Sequence, residues 1–319
     1  MTTISRDTIE TTLRTLRTQH GAFIRTTPHL RVPGAALGLA CKEVHLKLEH
    51  LQVSGSFKAR GMLNRLLRNP ISESGVVVAS GGNAGIATAA AAQHLGVHCE
   101  VYLPEVSTQA KREKLKSLGA NVVVQGAVYS DALNACLARQ RETGALLVHA
   151  YDQEEVVIGA GTIGAEMDAQ TNAPPDTVLV SVGGGGLISG VASWYAGTAT
   201  RVVALEPTLA PTLHAARAAG APVDVSVSGV AADSLGAKRI GDIAWRIAQS
   251  GAIADALLLE DAAIRAAQLW LWKEMKIAVE PAAALGLAAL QSGAYAPRAD
   301  ETVCLLICGA NFDPASLNA

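Results

Sequence analysis

Aromatic side chains are scarce: Phe, Trp and Tyr make up 4% of the 319 residues. With so few ring faces to offer, base stacking is a poor explanation of what the chain does. An excess of charge of one sign is also missing. The 26 Lys and Arg nearly balance 28 Asp and Glu, for a formal charge of −2, which argues against a basic nucleic-acid groove or an acidic tail. Five cysteines in so long a chain exclude a disulfide framework, and their odd number points to reduced thiols in a cytosol. No tandem repeat, low-complexity tract or obvious linker is present. The first residues carry Asp7 and Glu10 and lack the apolar block of a secretory signal.

Half of the residues are apolar, enough for a large core. Two uncharged runs, 75–99 and 177–200, are long enough to raise a membrane reading. The first is broken by Ser80-Gly81-Gly82-Asn83 and the second by Gly183-Gly184-Gly185-Gly186. Such glycine-rich centres would fray a helix in hydrocarbon and leave backbone groups unpaired. Both runs read better as strand, loop and helix, in a cytoplasmic protein with no membrane or nucleic-acid partner.

Short β-branched runs alternate with Ala-rich helical ones. Strands are expected at Val44–Leu48, Val76–Ala79, Cys99–Leu103, Asn121–Val124, Leu146–His149, Val178–Val182, Arg201–Leu205 and Val303–Cys308. Helices are expected at Ala84–Leu95, Thr108–Leu118, Ser130–Thr143 and Leu187–Ala196, with another opening the chain. Crossovers of this length imply an α/β fold with mostly parallel sheets covered on both faces. The regular strand–helix units over 74–151 form a small unit of their own, and 1–73 with 152–319 build a larger, discontinuous one.

Several segments are candidates for chemistry. Ser54-Gly55-Ser56-Phe57-Lys58-Ala59-Arg60-Gly61 puts a lysine at a helix start, where an anion would be preferred. An exposed surface lysine is the ordinary reading; a partly buried one beside a cationic or electron-poor group is a Schiff-base nucleophile. In Ser80-Gly81-Gly82-Asn83-Ala84-Gly85, free N–H groups at a helix start favour a carboxylate, although Asn83 as a simple cap explains it equally well. The Gly183–Gly186 loop is a natural phosphate cradle, and it lacks the Lys-Ser/Thr ending of a nucleotide-hydrolysing loop.

Gly159-Ala160-Gly161-Thr162-Ile163-Gly164 has dinucleotide-motif spacing without its strand or distal acid, so close helix packing is expected there. Cys308 sits at the carboxyl end of a strand, where ligands of open α/β sheets gather. Cys41, His45 and His50 give no metal pattern, and Val44, Leu46 and Leu48 alternate with His45, Lys47 and Glu49 as on a half-exposed strand. Lys111, Arg112, Lys114 and Lys116 read as a solvated helix face.

Together these segments resemble the serine/threonine dehydratase branch of the fold-type II pyridoxal-phosphate enzymes, in order and spacing from Thr27-Pro28 to Asn311. Lys47-x-Glu49, Ser56-Phe57-Lys58-x-Arg60-Gly61, the block 229–236 and Glu280-Pro281 carry the resemblance. It implies the tryptophan synthase β-like fold, with two open, mostly parallel sheets, and pyridoxal 5'-phosphate as cofactor. It makes Lys58 the Schiff-base lysine and catalytic base, packs Phe57 by the pyridine ring and sets Asn83 on the 3-hydroxyl. Gly183, Gly184, Gly185, Gly186 and Leu187 then hold the phosphate, and Cys308 faces the pyridine nitrogen as thiol or thiolate. Ser80, Gly81, Asn83 and Ala84 receive the substrate.

The implied reaction is β-elimination from a β-hydroxy L-amino acid, with L-threonine or L-serine leading, to a 2-oxo acid and ammonia. The alternatives are a serine racemase-type isomerase or a dehydratase of another such amino acid, 3-hydroxyaspartate included. Racemases of the branch carry a serine where this chain has Gly81, which has no proton to give. Glu206 and the Ala210 carbonyl match the family's cation site but Thr212 replaces its third donor, so no divalent metal is assigned and potassium or no ion fits better. The resemblance also implies a homo-oligomer, a dimer or tetramer, without feedback control through a C-terminal regulatory domain.

Overall fold

The computed structural model describes residues 4–318. Its ten strands are β1 (His29–Pro33), β2 (Glu43–Lys47), β3 (Val76–Val78), β4 (Cys99–Leu103), β5 (Asn121–Val124), β6 (Leu146–Val148), β7 (Thr177–Ser181), β8 (Arg201–Pro207), β9 (Asp255–Leu259) and β10 (Thr302–Leu306). They form a six-stranded sheet in the order β1-β2-β10-β7-β8-β9 and a four-stranded sheet in the order β5-β4-β3-β6. Every pairing is parallel except β1 on β2, at one edge of the larger sheet. The fold is the expected α/β class with two mostly parallel sheets.

All eight expected strands are present within two residues at each end. Two edge strands, β1 and β9, escaped the sequence reading. His-Leu-Arg-Val-Pro is half-exposed and ends in proline, and Asp-Ala-Leu-Leu-Leu lacks β-branched residues, so neither carries the usual strand signature. The half-exposed alternation expected along β2 is wrong: His45 is 3% exposed, and Lys47 and Glu49 are fully buried. Both faces of that strand are covered, and the two charges are buried because each meets an opposite charge.

Helix packing brings the two sheets together. Helix Glu154–Gln170 starts with two acids that suit its positive end, and its residues 156–167 are all buried. Its glycines work as close-packing points. A Cβ at Gly159 would lie 2.6 Å from the Arg60 carbonyl oxygen, and one at Gly164 would lie 2.7 Å from the Trp194 ring. Helix Lys58–Leu67 therefore packs directly on helix Glu154–Gln170 and also touches helix Asn83–Leu95 below the small sheet. One apolar core fills the larger sheet and its helices, and two smaller ones flank the four-stranded sheet. No helix among the described residues is long and apolar enough to cross a membrane.

Candidate active site

The carboxyl ends of both sheets face one cleft, and Lys58 stands in it. Beyond β10 the chain continues beside residues 50–57. His50 N donates to the Ile307 carbonyl at 2.7 Å, Phe57 N to the Cys308 carbonyl at 3.0 Å, and Ala310 N to the Gly55 carbonyl at 2.9 Å. This zipper sets Cys308 next to the start of the lysine helix. Gly55 is required in it: its φ is +76°, and a Cβ there would lie 2.8 Å from the Asn311 Oδ1.

Lys58 Nζ donates to the Ala150 carbonyl and lies 5.0 Å from the centre of the Phe57 ring. Burial lowers its pKa to about 8, partly offset by Cys308 and Glu280. The amine is thus easier to deprotonate than a surface lysine, as a nucleophile or base requires. Cys308 is buried, and that burial, reinforced by Glu280, pushes its thiol far above the ordinary range. Of the two forms left open from sequence, the neutral thiol is the one this environment favours.

Asn83 begins its helix at the end of the loop that follows β3. Its Nδ2 donates to both oxygens of Glu280, at 2.9 and 3.0 Å, and its Oδ1 accepts from Asn311 Nδ2 at 2.6 Å. Glu280 is 3% exposed, and burial raises its carboxyl to about 7 against the pull of Asn83 and the Asn311 backbone. The sequence reading used Glu280-Pro281 only as a family block and missed it as a site residue. An acid ahead of a proline looks like an ordinary helix cap. Here its side chain makes no cap bond and turns into the cleft, where Gly309 leaves room: a Cβ on Gly309 would lie 2.6 Å from Glu280 Oε1.

Ser80, Gly81 and Ala84 lie in the same loop and first turn. Ser80 Oγ accepts from Gly82 N at 3.3 Å, and Gly85 has no room for a Cβ, which would lie 1.8 Å from the Ser80 carbonyl oxygen. The first-turn N–H groups of this helix have no partner within it and face an incoming anion.

The tetraglycine loop follows β7 and leads into helix Gly186–Tyr195, again with no side-chain cap. Gly185 has φ +89°. Hypothetical Cβ atoms at Gly184, Gly185 and Gly186 would come within 2.3 Å of the Tyr151 ring, 2.4 Å of Ala244 Cβ and 2.8 Å of the Tyr151 carbonyl oxygen. The loop is bare because its surroundings leave no space for side chains, and its amides open a helix N-terminus. A phosphate tail on this loop, with an aldehyde at Lys58, fits the residues present.

Other sequence candidates take structural roles. Glu206 accepts from Thr212 Oγ1, Leu213 N and His214 N at 3.1, 2.7 and 2.8 Å, so its carboxylate caps helix Thr212–Ala219. The Ala210 carbonyl accepts from Thr212 N at 3.2 Å. Behind the lysine helix lies a buried ion cluster. Arg60 clasps Glu49 with two bonds of 2.8 Å and reaches Glu166 Oε1 at 2.9 Å, while Lys47 Nζ meets the same Glu166 oxygen at 2.6 Å. All five cysteines are free and buried.

Comparison with known proteins gives a consistent set of relatives. A family described as pyridoxal-phosphate dependent enzyme matches residues 22–309. The biosynthetic L-threonine dehydratase of Mycobacterium tuberculosis is 36% identical over 85% of this chain and 64% of its own length. The chain therefore spans less than two thirds of that relative. The phenylserine dehydratase of Ralstonia pickettii is 33% identical over 94% of this chain and 92% of its own. Among solved structures, maize serine racemase superposes with a TM-score of 0.90 at 28% identity, covering 99% of this chain and 96% of that one.

Proposed function

We propose, from the premise that this chain belongs to the family of pyridoxal-phosphate dependent enzymes, that it is an ammonia-lyase acting on β-hydroxy L-amino acids. Its cofactor is pyridoxal 5'-phosphate, and L-threonine and L-serine are the leading substrates. The observation that carries this reading is the amine of Lys58, its proton affinity lowered by desolvation, held by the Ala150 carbonyl next to the Tyr151 that packs on the side-chain-free tetraglycine loop.

Lys58 holds the cofactor through its amine, Gly183 to Leu187 bind the phosphate and Phe57 packs by the ring. Asn83, steered by Glu280 and Asn311, addresses the ring hydroxyl. When bound, the cofactor supplies a conjugated electron sink that acidifies the substrate Cα–H. Ser80, Gly81 and Ala84 fix the substrate carboxylate. Lys58, with its lowered proton affinity, would be the base that takes the Cα proton. A neutral thiol at Cys308 would offer the ring nitrogen no negative charge to hold a proton, and the weaker sink would favour loss of the β-hydroxyl over racemisation. Gly81 offers no proton on the opposite face, so the isomerase alternative ranks second.

The division into a small unit, 74–151, and a large one, 1–73 with 152–319, belongs to the same reading, as do a cytoplasmic location and a homo-oligomeric state. The test is the visible absorbance band of a lysine-bound cofactor, its loss on borohydride reduction or in Lys58→Ala, and 2-oxo acid release from L-threonine and L-serine. Formation of D-serine without pyruvate would favour the isomerase instead.

A further inference from the structure

On the small-sheet side of the cleft, a recess of about 150 Å³ lies between helix Tyr129–Thr143 and the carboxyl ends of β3 and β6. Leu133 and Leu137, one turn apart on that helix, form one wall, and Leu147, Val148 and Ala150 form the other. No Asp, Glu, Lys or Arg lines it. Ala150, one of the lining residues, is also the residue whose carbonyl accepts the Lys58 amine, so the recess and the reacting nitrogen share it as a neighbour. A cavity of about 150 Å³ lined by Leu, Ile and Phe takes up benzene. The methyl group of threonine would leave most of such a space empty.

We infer that this recess receives the β-substituent of the substrate, and that the site takes β-aryl β-hydroxy amino acids, such as 3-phenylserine, in addition to the small ones. The inference rests on the lyase reading above. In the reaction the Cα–H and Cβ–O bonds break, the proton goes to Lys58, and the hydroxyl leaves as water with a proton. Hydrolysis of the released enamine then gives phenylpyruvate and ammonia.

Calorimetry on the holoenzyme tests the recess apart from turnover. L-Phenylalanine, which has the ring and no β-hydroxyl to lose, is expected to bind at least about tenfold more tightly than L-alanine, with a negative heat-capacity change. Equal affinities overturn the inference. Leu133→Trp, which fills the recess, is expected to lower the ratio of kcat/KM for 3-phenylserine to that for L-threonine by about tenfold. Leu137→Trp fills it from the next turn. An unchanged ratio in both variants, with native circular dichroism, also overturns it; if neither folds, the wild-type affinities decide. Release of 2-oxo acid from L-threonine but not from 3-phenylserine sinks the pocket assignment alone. Release from no β-hydroxy amino acid sinks the lyase reading with it.

Discussion

The lysine helix separates two clusters of buried ionisable groups that behave in opposite ways. Behind it, Lys47, Glu49, Arg60 and Glu166 are all at most 1% exposed, and each finds an opposite charge within 3 Å. In front of it, Lys58, Cys308 and Glu280 have no such partner; burial favours the neutral form of each. Lys58 and Arg60 are two residues apart and point to different sides of one helix turn. Paired charges lock that helix in place. Of the unpaired ones, Lys58 and Glu280 have proton affinities near neutral pH, which is where acid–base chemistry operates, while Cys308 stays a thiol.

The sharpest way to break this contrast is to remove Lys58. Lys58→Ala is expected to cost at least about 10³-fold in turnover, with thermal stability unchanged or higher, because an amine with no opposite charge beside it is lost. Measured stability falling with activity would place Lys58 with the structural cluster instead.

On the other side, Arg60→Met strands Glu49, leaves Glu166 with only Lys47 and Arg17, and is expected to destabilise by about 3–5 kcal/mol in urea unfolding. The acid limb should also change. Burial opposes ionisation of Glu166, but Arg60 and Lys47 hold its carboxyl down at about 2. Its stabilising contribution is therefore present above the ordinary carboxylate pKa and lost as pH falls towards 2. Arg60→Met should shrink that loss.

Glu280 has the reverse sign. Its folded-state pKa of about 7 lies above the unfolded value, so its contribution is full below the ordinary carboxylate range and disappears as pH rises through 7. Glu280→Gln is expected to flatten the stability slope between about pH 5 and 7, followed by thermal unfolding across that range. An unaltered slope would show that the carboxyl titrates normally.

The smallest effect belongs to the ion pair on the rim. Lys111 and Asp233, 33% and 65% exposed, join the helix beside the small sheet to the loop from the large one. Lys111→Met should change stability by less than about 1 kcal/mol, an effect that vanishes in high salt.

Much of the front cluster was legible in the chain. Lys58 follows turn-prone residues, and the loops at 80–85 and 183–186 announce themselves through glycines that nothing but close backbone approach explains. Glu280 was not, since its local signal is that of a cap and its purpose depends on Gly309 and Asn83, 197 residues earlier. The rear cluster was misread for the same reason. Lys47 alternates with apolar neighbours as an exposed residue would, and its partner Glu166 is 119 positions away. The cluster of lysines and Arg112 read as a solvated face was seen only in part: Lys111 crosses to Asp233. Periodicity reports which face is polar, not whether that face meets water or another charge.

The position of β10 has a consequence for how the protein is made. Among the described residues it is the last strand along the chain, yet it is wedged between β2 and β7, and the residues just after it align the lysine loop. The four-stranded sheet can assemble from neighbouring stretches while translation continues. The larger sheet must hold a gap between β2 and β7 until residues 302–306 arrive. The lysine loop therefore gains its alignment only once β10 has joined the sheet, after the other nine described strands have been made.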